Sequence, residues 1–450
     1  MTASNFRLIY RMGSFLGLDF HVLMTLLFRG WSILAGAVTV LLVPFFLNSV
    51  EQGYYYTFAS ILGLHIFFEL GLSQVVIQLV GHQAAHLNIS GSKLEGDISR
   101  IDQLASLVQL LHQWYIIAAL LFALVGGVAG VVFFLHSGQL PLAEWAFVWS
   151  VLTLSTSVNL AYIPAFALIE GTGRIGHVAQ LRLIQSAFGY AGLWIVLISG
   201  GRLWAAAVMP IISAIMAAFW LRYEGRLYYW LVSRSFQDTH RINWKRDVFP
   251  FQWRIAASWI SGYFVFYAFT PLIFLNQGAT EGGRFGMAMM LFNSVSAVGM
   301  SWVNAKAPIF GMLISRGERH ELNALFLTVF KQSLAFTALA SVAVVGVSYV
   351  LEGAGVSFMA RVAQTAVIAC LGAVCIVNCV VFSVATYMRA HREEPMLSVS
   401  VTAGLTTAAI AYLGSMHSVL LMSICYLGMN LLLILPWSIF LFMRYYRREN

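Results

Sequence analysis

Charge is scarce in this sequence. Asp, Glu, Lys and Arg make up 10% of its 450 residues, against about a quarter in an ordinary soluble domain. That scarcity excludes a water-soluble domain, and no polar block is long enough to fold separately, so no attached soluble domain is expected. No nucleic-acid partner is expected either. Cysteine is rarer still: Cys370, Cys375, Cys379 and Cys425 show no CxxC spacing, which leaves no metal, cofactor or disulfide framework to build on. The N-terminus, MTASNFRLIYRMGSFLGLDFHVLMTLLFRG, lacks a small-residue cleavage site behind a short apolar core. It reads as a retained amphipathic lead-in over residues 1–25.

Apolar residues fill the remaining space. They account for 60% of the chain and give a mean hydropathy of +0.80, in runs of about 20 residues, the length that crosses a bilayer as a helix. The expected fold is an all-α polytopic membrane protein of twelve helices. Hydropathy and breaker positions place them near 26–48, 54–79, 108–135, 145–168, 177–198, 202–220, 248–274, 284–311, 324–350, 362–388, 396–414 and 418–443. Twelve spans put both termini on one side. Eighteen of the 26 Lys and Arg fall in connections on that side, three (Arg202, Arg284 and Arg361) on the other, and five inside spans. The positive-inside rule therefore places both termini in the cytoplasm. Two six-helix lobes follow, 26–220 and 248–443, joined by a basic cytoplasmic connection at 221–247 and ending in a tail at 444–450. That connection, RYEGRLYYWLVSRSFQDTHRINWKR, suits attraction to acidic membrane lipids. In the other long inner connection, 80–107, Leu94, Ile98, Ile101, Leu104 and Val108 recur at helical spacing, as on a helix lying along the membrane surface.

Three motifs imitate chemistry without its context. GTGRIG at 171–176 matches a dinucleotide fingerprint but follows a long apolar run instead of a short strand, so it reads as a tight turn. HQAAH at 82–86 has Gln83 where a zinc protease needs its glutamate. The sequon NIS at 88–90 falls on the expected cytoplasmic side, away from glycosylation.

The five cations inside spans are Arg29, Arg182, Arg254, Lys306 and Lys331, and the one comparably deep acid is Glu69. Each costs roughly 2.5 to 3.5 kcal/mol at a helix centre on insertion scales, so the excess of positive charge calls for a reason. A cavity that takes an anion supplies one; for Arg29, Arg254 and Lys306, nearest the interface, snorkelling to lipid phosphates is the alternative, and for the deeper Arg182 and Lys331 a cavity or an ion pair is expected. His65, Glu69 and Ser73 stand at i, i+4, i+8, a stripe suited to an ion pair or a proton-carrying switch, with Gln74 and Gln78 on nearly the opposite face. Asn293 and Asn304, eleven residues apart, share a face of the eighth span. Such amides either line a cavity or bond between helices.

The two halves look weakly related. Ser32-Ile-Leu-Ala-Gly36 matches Ser258-Trp-Ile-Ser-Gly262, and Gly71-Leu-Ser73 matches Gly299-Met-Ser301, as in parallel repeats related by an axis along the membrane normal. The runs GYYYTFASILGLHIFFELGLSQVVIQL, FRGWSILAG, PFQWRIAASWISGYF, EGTGRIGHVAQLRLIQ and YMRAHREEP resemble the Wzx-type polysaccharide exporters. Those exporters belong to the MOP superfamily, with the MATE drug exporters and the MurJ lipid II flippases. The resemblance implies a V-shaped pair of six-helix lobes in the bacterial inner membrane. It also implies alternating access that moves an undecaprenyl-diphosphate-linked oligosaccharide to the outer leaflet for O-antigen or related lipopolysaccharide synthesis. Cavity cations would hold the substrate, and H+ or Na+ antiport would drive the return, although no cluster of acids marks a sodium site. Glycosyltransferases and a polysaccharide polymerase are the implied partners. A MATE-like multidrug exporter is the alternative, disfavoured by the excess of cations. A membrane polymerase or glycosyltransferase is a further one, disfavoured by short outer connections. No enzymatic activity of its own is expected.

Overall fold

A computed structural model describes residues 20–84, 87–90, 93–235, 242–391 and 396–449. Most of the amphipathic lead-in, Ala85 and His86 of the HQAAH motif and Arg392 of YMRAHREEP lie outside the described residues. The first helix, α1, runs Phe20–Phe46, and α2, Ser49–Leu62, passes through a 3₁₀ turn, Gly63–His65, into the short α3, Ile66–Glu69. After it come α4 (Leu72–Ala84), a hairpin of β1 (Asn88–Ser90) and β2 (Lys93–Glu95), and the 40-residue α5 (Ile98–Ser137). Next are α6 (Leu142–Gly171), α7 (Ile175–Ile198), α8 (Trp204–Glu224) and α9 (Arg226–Ser233). A π-helical turn, Trp244–Val248, leads into α10 (Phe249–Phe266) and α11 (Phe269–Gln277). Then follow α12 (Ala279–Gly299), α13 (Ser301–Arg316), α14 (Arg319–Gly353), α15 (Thr365–Arg389), α16 (Leu397–Ser415) and α17 (Val419–Met429). A second π-helical turn, Asn430–Ile434, precedes α18 (Leu435–Glu449).

Ten described helical segments are long and apolar enough to cross a membrane, and two bent pairs bring the number to twelve. The bends are the main departure from the hydropathy reading. The second expected span breaks by 45° after Glu69, and the eighth breaks by 41° at Met300. At the first break Leu70 and Gly71 both take the left-handed conformation, φ 54° and 66°, which glycine adopts freely and leucine only under constraint. Both breaks fall in the repeated Gly-x-Ser segments. The connection 80–107 also differs from expectation, because Ile101, Leu104 and Val108 are buried on α5 itself, continuous with the third span, while Leu94 sits on β2. Helical spacing is present there, but it extends the span instead of forming a separate surface helix. GTGRIG forms a tight turn between α6 and α7 with Gly173 at φ 86°.

The chain divides into two compact units. One holds the residues up to Ala35 with Leu64–Phe133 and Pro141–Ala256; the other holds Gly36–Gly63, Phe134–Leu140 and Ala257–Asn450. Close packing explains why the end of the first span and the start of the second group with the second unit. A Cβ placed on Gly53 of α2 would lie 2.0 Å from the Ala279 carbonyl oxygen at the start of α12, so only glycine lets these backbones meet. Beside it the Gln52 amide donates to the carbonyls of Gly283 (3.3 Å) and Arg361 (3.0 Å). Tyr54 stacks on Phe134 at 4.9 Å, and its hydroxyl accepts from the Leu140 amide at 3.1 Å.

In the first unit the connection after α8 is docked on α5. Arg234 bonds Asp102 at 3.1 Å, the Gln109 amide donates to the carbonyls of Leu231 and Arg234, and Tyr228 shares a 2.8 Å hydrogen bond with His112. Burial, and then Tyr229, push the Tyr228 phenol up from its usual range. Further along α5, Leu120, Leu124, Val128 and Val132 stand exposed at every fourth position, an apolar stripe that suits lipid. Lipid tails are as apolar as these side chains, so burial alone contributes little, and cohesion falls to close packing and interhelical hydrogen bonds.

Candidate functional site

A cavity of about 410 Å³ lies wholly within the first unit. Helical periodicity assembles its lining. On α7, Arg182, Gln185, Ser186 and Tyr190 fall at i, i+3, i+4 and i+8 and so share one face. On α6, Thr156 and Asn159 do the same one turn apart, and α8 adds Met209 and Ser213 at i and i+4. The first span contributes Ser32, and the 3₁₀ turn before α3 contributes His65.

Polar groups in this lining also hold the helices together. The Asn159 amide donates to the Pro210 carbonyl at 2.9 Å, tying α6 to α8, and the Gln185 amide donates to the Ser213 carbonyl at 2.9 Å, tying α7 to α8. The hydroxyls of Ser32 and Ser186 meet at 3.2 Å. Because each amide nitrogen is engaged on backbone, its carbonyl oxygen stays available to accept from another donor. Among the described residues Arg182 is the one cation in the lining, and its guanidinium pairs at 2.8 Å with Glu170 at the end of α6. The Arg182 side chain stays 46% exposed while Glu170 is 12% exposed, so the pair keeps a positive face open. Beside the cavity, Tyr190, Trp194 and Trp31 form an aromatic ledge with ring centroids 6.1 and 6.3 Å apart. Such an arrangement can hold an uncharged polyhydroxyl group by hydrogen bonds and ring stacking, with an anion near Arg182.

The structure brings together only some of the residues singled out in the sequence. Arg182 and His65 line this cavity. Glu69 is buried at 6% exposure at the helix break and accepts from the Ser73 hydroxyl at 2.6 Å. The expected stripe of His65, Glu69 and Ser73 is thus not one helix face, since the chain turns between the last two. Among the described residues no cation pairs with Glu69; the buried Tyr115 is its titratable neighbour. Gln74 and Gln78 are exposed on α4. Arg29 and Arg254 are exposed in the first unit, and Lys306 and Lys331 in the second, none in an ion pair with described residues of its own unit. Asn293 lines a small void of about 30 Å³ in the second unit with Asn378 and Tyr426, whereas Asn304 is exposed on α13. The bend at Met300 separates these two asparagines, so their expected common face is lost. Sequence reasoning missed Thr156, Asn159, Gln185, Ser186, Tyr190 and Ser213, although Gln185 and Ser186 stand one turn from Arg182 in the sequence. Their spacing from Arg182 was the available signal.

No family model matches the sequence, and no curated protein does. Solved structures match its fold. A multidrug resistance MATE-family transporter of the MOP superfamily, in an inward-facing conformation, aligns with TM-score 0.56 and 11% identity over 91% of this chain and 99% of its own. A MOP-superfamily transporter from Pyrococcus furiosus, described as having a binding pocket of reverse polarity that suggests a different function, gives 0.54 and 11% over 95% of each chain. The MATE multidrug transporter DinF-BH, in complex with the dye rhodamine 6G, gives 0.53 and 13% over 93% and 95%. The chain therefore has the fold of the MOP-superfamily transporters.

Proposed function

We propose that this protein is a transporter of the bacterial inner membrane that moves an undecaprenyl-diphosphate-linked oligosaccharide from the inner to the outer leaflet by alternating access. It would act after the glycosyltransferases that build the oligosaccharide and before the polymerase that extends it, in O-antigen or related lipopolysaccharide synthesis. The observation that carries this reading is the sign of the charge carried within the spans: five cations against Glu69. A cationic drug would be repelled by such a set, and a diphosphate attracted. The hydroxyls and amides around Arg182, with the ledge of Tyr190, Trp194 and Trp31, suit the sugar of the same substrate. The fold accommodates pockets of opposite polarity, as the Pyrococcus furiosus transporter illustrates. Arg29, Arg254 and Lys331 would take the head group as it enters, and Glu69 with His65 would carry the coupling ion, H+ or Na+.

The multidrug reading draws on the same fold, which this chain shares with a MATE transporter in complex with rhodamine 6G. One experiment separates the two. The purified protein is reconstituted in vesicles with a fluorescent lipid-linked oligosaccharide, and flipping is read by quenching with an impermeant reagent. Flipping above the protein-free rate, with no export of rhodamine 6G by an exporter-deficient host, is the expected result. Export of the dye without lipid flipping would overturn it.

A further inference from the structure

The hydrogen bonds already made around the first unit's cavity determine which bonds are left for a ligand. On the α6 wall the polar hydrogens are spent. The Asn159 amide gives one hydrogen to the Ser155 carbonyl and the other to the Pro210 carbonyl, both at 2.9 Å. A reversed amide would set its oxygen against two carbonyl oxygens, so this orientation is fixed. The Thr156 hydroxyl donates to the Leu152 carbonyl at 2.8 Å, back along its own helix. What α6 offers the cavity is therefore a pair of acceptors one turn apart, Thr156 Oγ1 and Asn159 Oδ1, neither of which accepts from another described residue.

The α7 side keeps donors. Gln185 spends one amide hydrogen on the Ser213 carbonyl at 2.9 Å and retains the other. The hydroxyls of Ser32 and Ser186 share a single bond at 3.2 Å, which leaves one hydrogen between them. Arg182 pairs with Glu170 through one edge of its guanidinium, and its remaining N–H groups stay accessible on a side chain 46% exposed. Because Glu170 answers the Arg182 charge at 2.8 Å, the pair supplies hydrogen bonds to the cavity with little net charge.

A group held between these walls must donate to α6 and accept from the α7 side. An ammonium only donates, and a carboxylate or phosphate only accepts. A hydroxyl does both. We infer that this cavity selects a neutral hexopyranose of the transported oligosaccharide, its hydroxyls donating to Thr156 and Asn159 and accepting from Gln185 and Arg182. Thr156 and Asn159 are then the residues that set specificity against acidic and amino sugars, and Tyr190 in the same lining takes the apolar C–H face of the ring. The inference rests on the oligosaccharide reading above and narrows it to the class of sugar.

Free methyl glycosides test the specificity apart from transport. Saturation-transfer NMR of the full-length protein in detergent compares methyl glucoside, galactoside and mannoside with methyl glucuronide and methyl glucosaminide. At least one neutral glycoside is expected to bind about tenfold more tightly than either charged one, since each charged group leaves a donor or an acceptor unmet. Asn159→Ala also cuts the tie from α6 to α8, so Thr156→Val, which loses a bond only to its own helix, is the cleaner variant. Thr156→Val should weaken the neutral glycoside about fivefold and leave the glucuronide no weaker. A merely structural role would weaken all the glycosides alike. Charged glycosides binding as tightly as neutral ones, no binding of any neutral glycoside, or an unchanged ratio in Thr156→Val would overturn the inference. A protein that flips the lipid-linked oligosaccharide in vesicles yet gives one of those results refutes the specificity alone. One that binds the neutral glycoside and flips nothing refutes the transport reading alone.

Discussion

Glu69 shows at the scale of one residue how far sequence and structure each reach. Its depth and its isolation among cations were legible, because hydropathy and counting give both. Its surroundings were not, because the left-handed Leu70 and Gly71 turn the chain beside it and bring the Ser73 hydroxyl to 2.6 Å across the break. A glutamine can accept the same hydrogen bond while shedding a buried charge that no described cation neutralises. Glu69→Gln is therefore expected to unfold thermally in detergent at or above the parent temperature. Glu69→Ala strands the Ser73 hydroxyl and should cost about 1–3 kcal/mol. A glutamine variant well below the parent would show that the carboxylate's charge is itself stabilising.

At the scale of elements, hydropathy found each span and misjudged how two of them are built. Apolar composition reports whether a segment prefers lipid, and a bend leaves that preference untouched, so the breaks after Glu69 and at Met300 were invisible to it. The repeated Gly-x-Ser was the local trace of both. The hairpin Asn88–Ser90 with Lys93–Glu95 was missed for another reason, since its polar residues carry almost no alternation. Close helix contact gives a sharp test. With the Ala279 carbonyl 2.0 Å from a Cβ on Gly53, Gly53→Ala must push α2 from α12 and should cost about 1–3 kcal/mol or more. Gly30→Ala on α1 meets nothing within 4 Å and should gain up to about 1 kcal/mol in helix propensity, which makes it the matched control in the same melting assay. Docking of α9 offers a second test. Arg234→Ala removes the guanidinium from Asp102, 5% exposed, and should raise amide hydrogen exchange in Arg226–Ser233 while leaving α15 unchanged.

For the whole molecule, the decisive quantity is the balance of charge held inside the spans, which can be counted from the sequence and which the structure distributes. Arg182 has its carboxylate at 2.8 Å; Arg29, Arg254, Lys306 and Lys331 have none among described residues of their own units. Cations at such depth are costly to insert, and a cost retained in four places needs a compensating role in binding. A hydrogen bond to a charged group contributes about 1.5–3 kcal/mol, so removing one head-group contact should slow flipping of the lipid-linked oligosaccharide by about tenfold or more. Arg29→Ala, Arg254→Ala and Lys331→Ala are each expected to show that loss in vesicles, and the triple variant to fall to the protein-free rate. Since each substitution removes a charge from an apolar span, insertion and thermal stability should hold or improve. Loss of flipping would then be a loss of recognition, distinguishable from misfolding because the two readouts move in opposite directions. Parent-level flipping in the triple variant would assign these cations to lipid phosphates at the membrane surface and leave Arg182 as the remaining cation for the substrate.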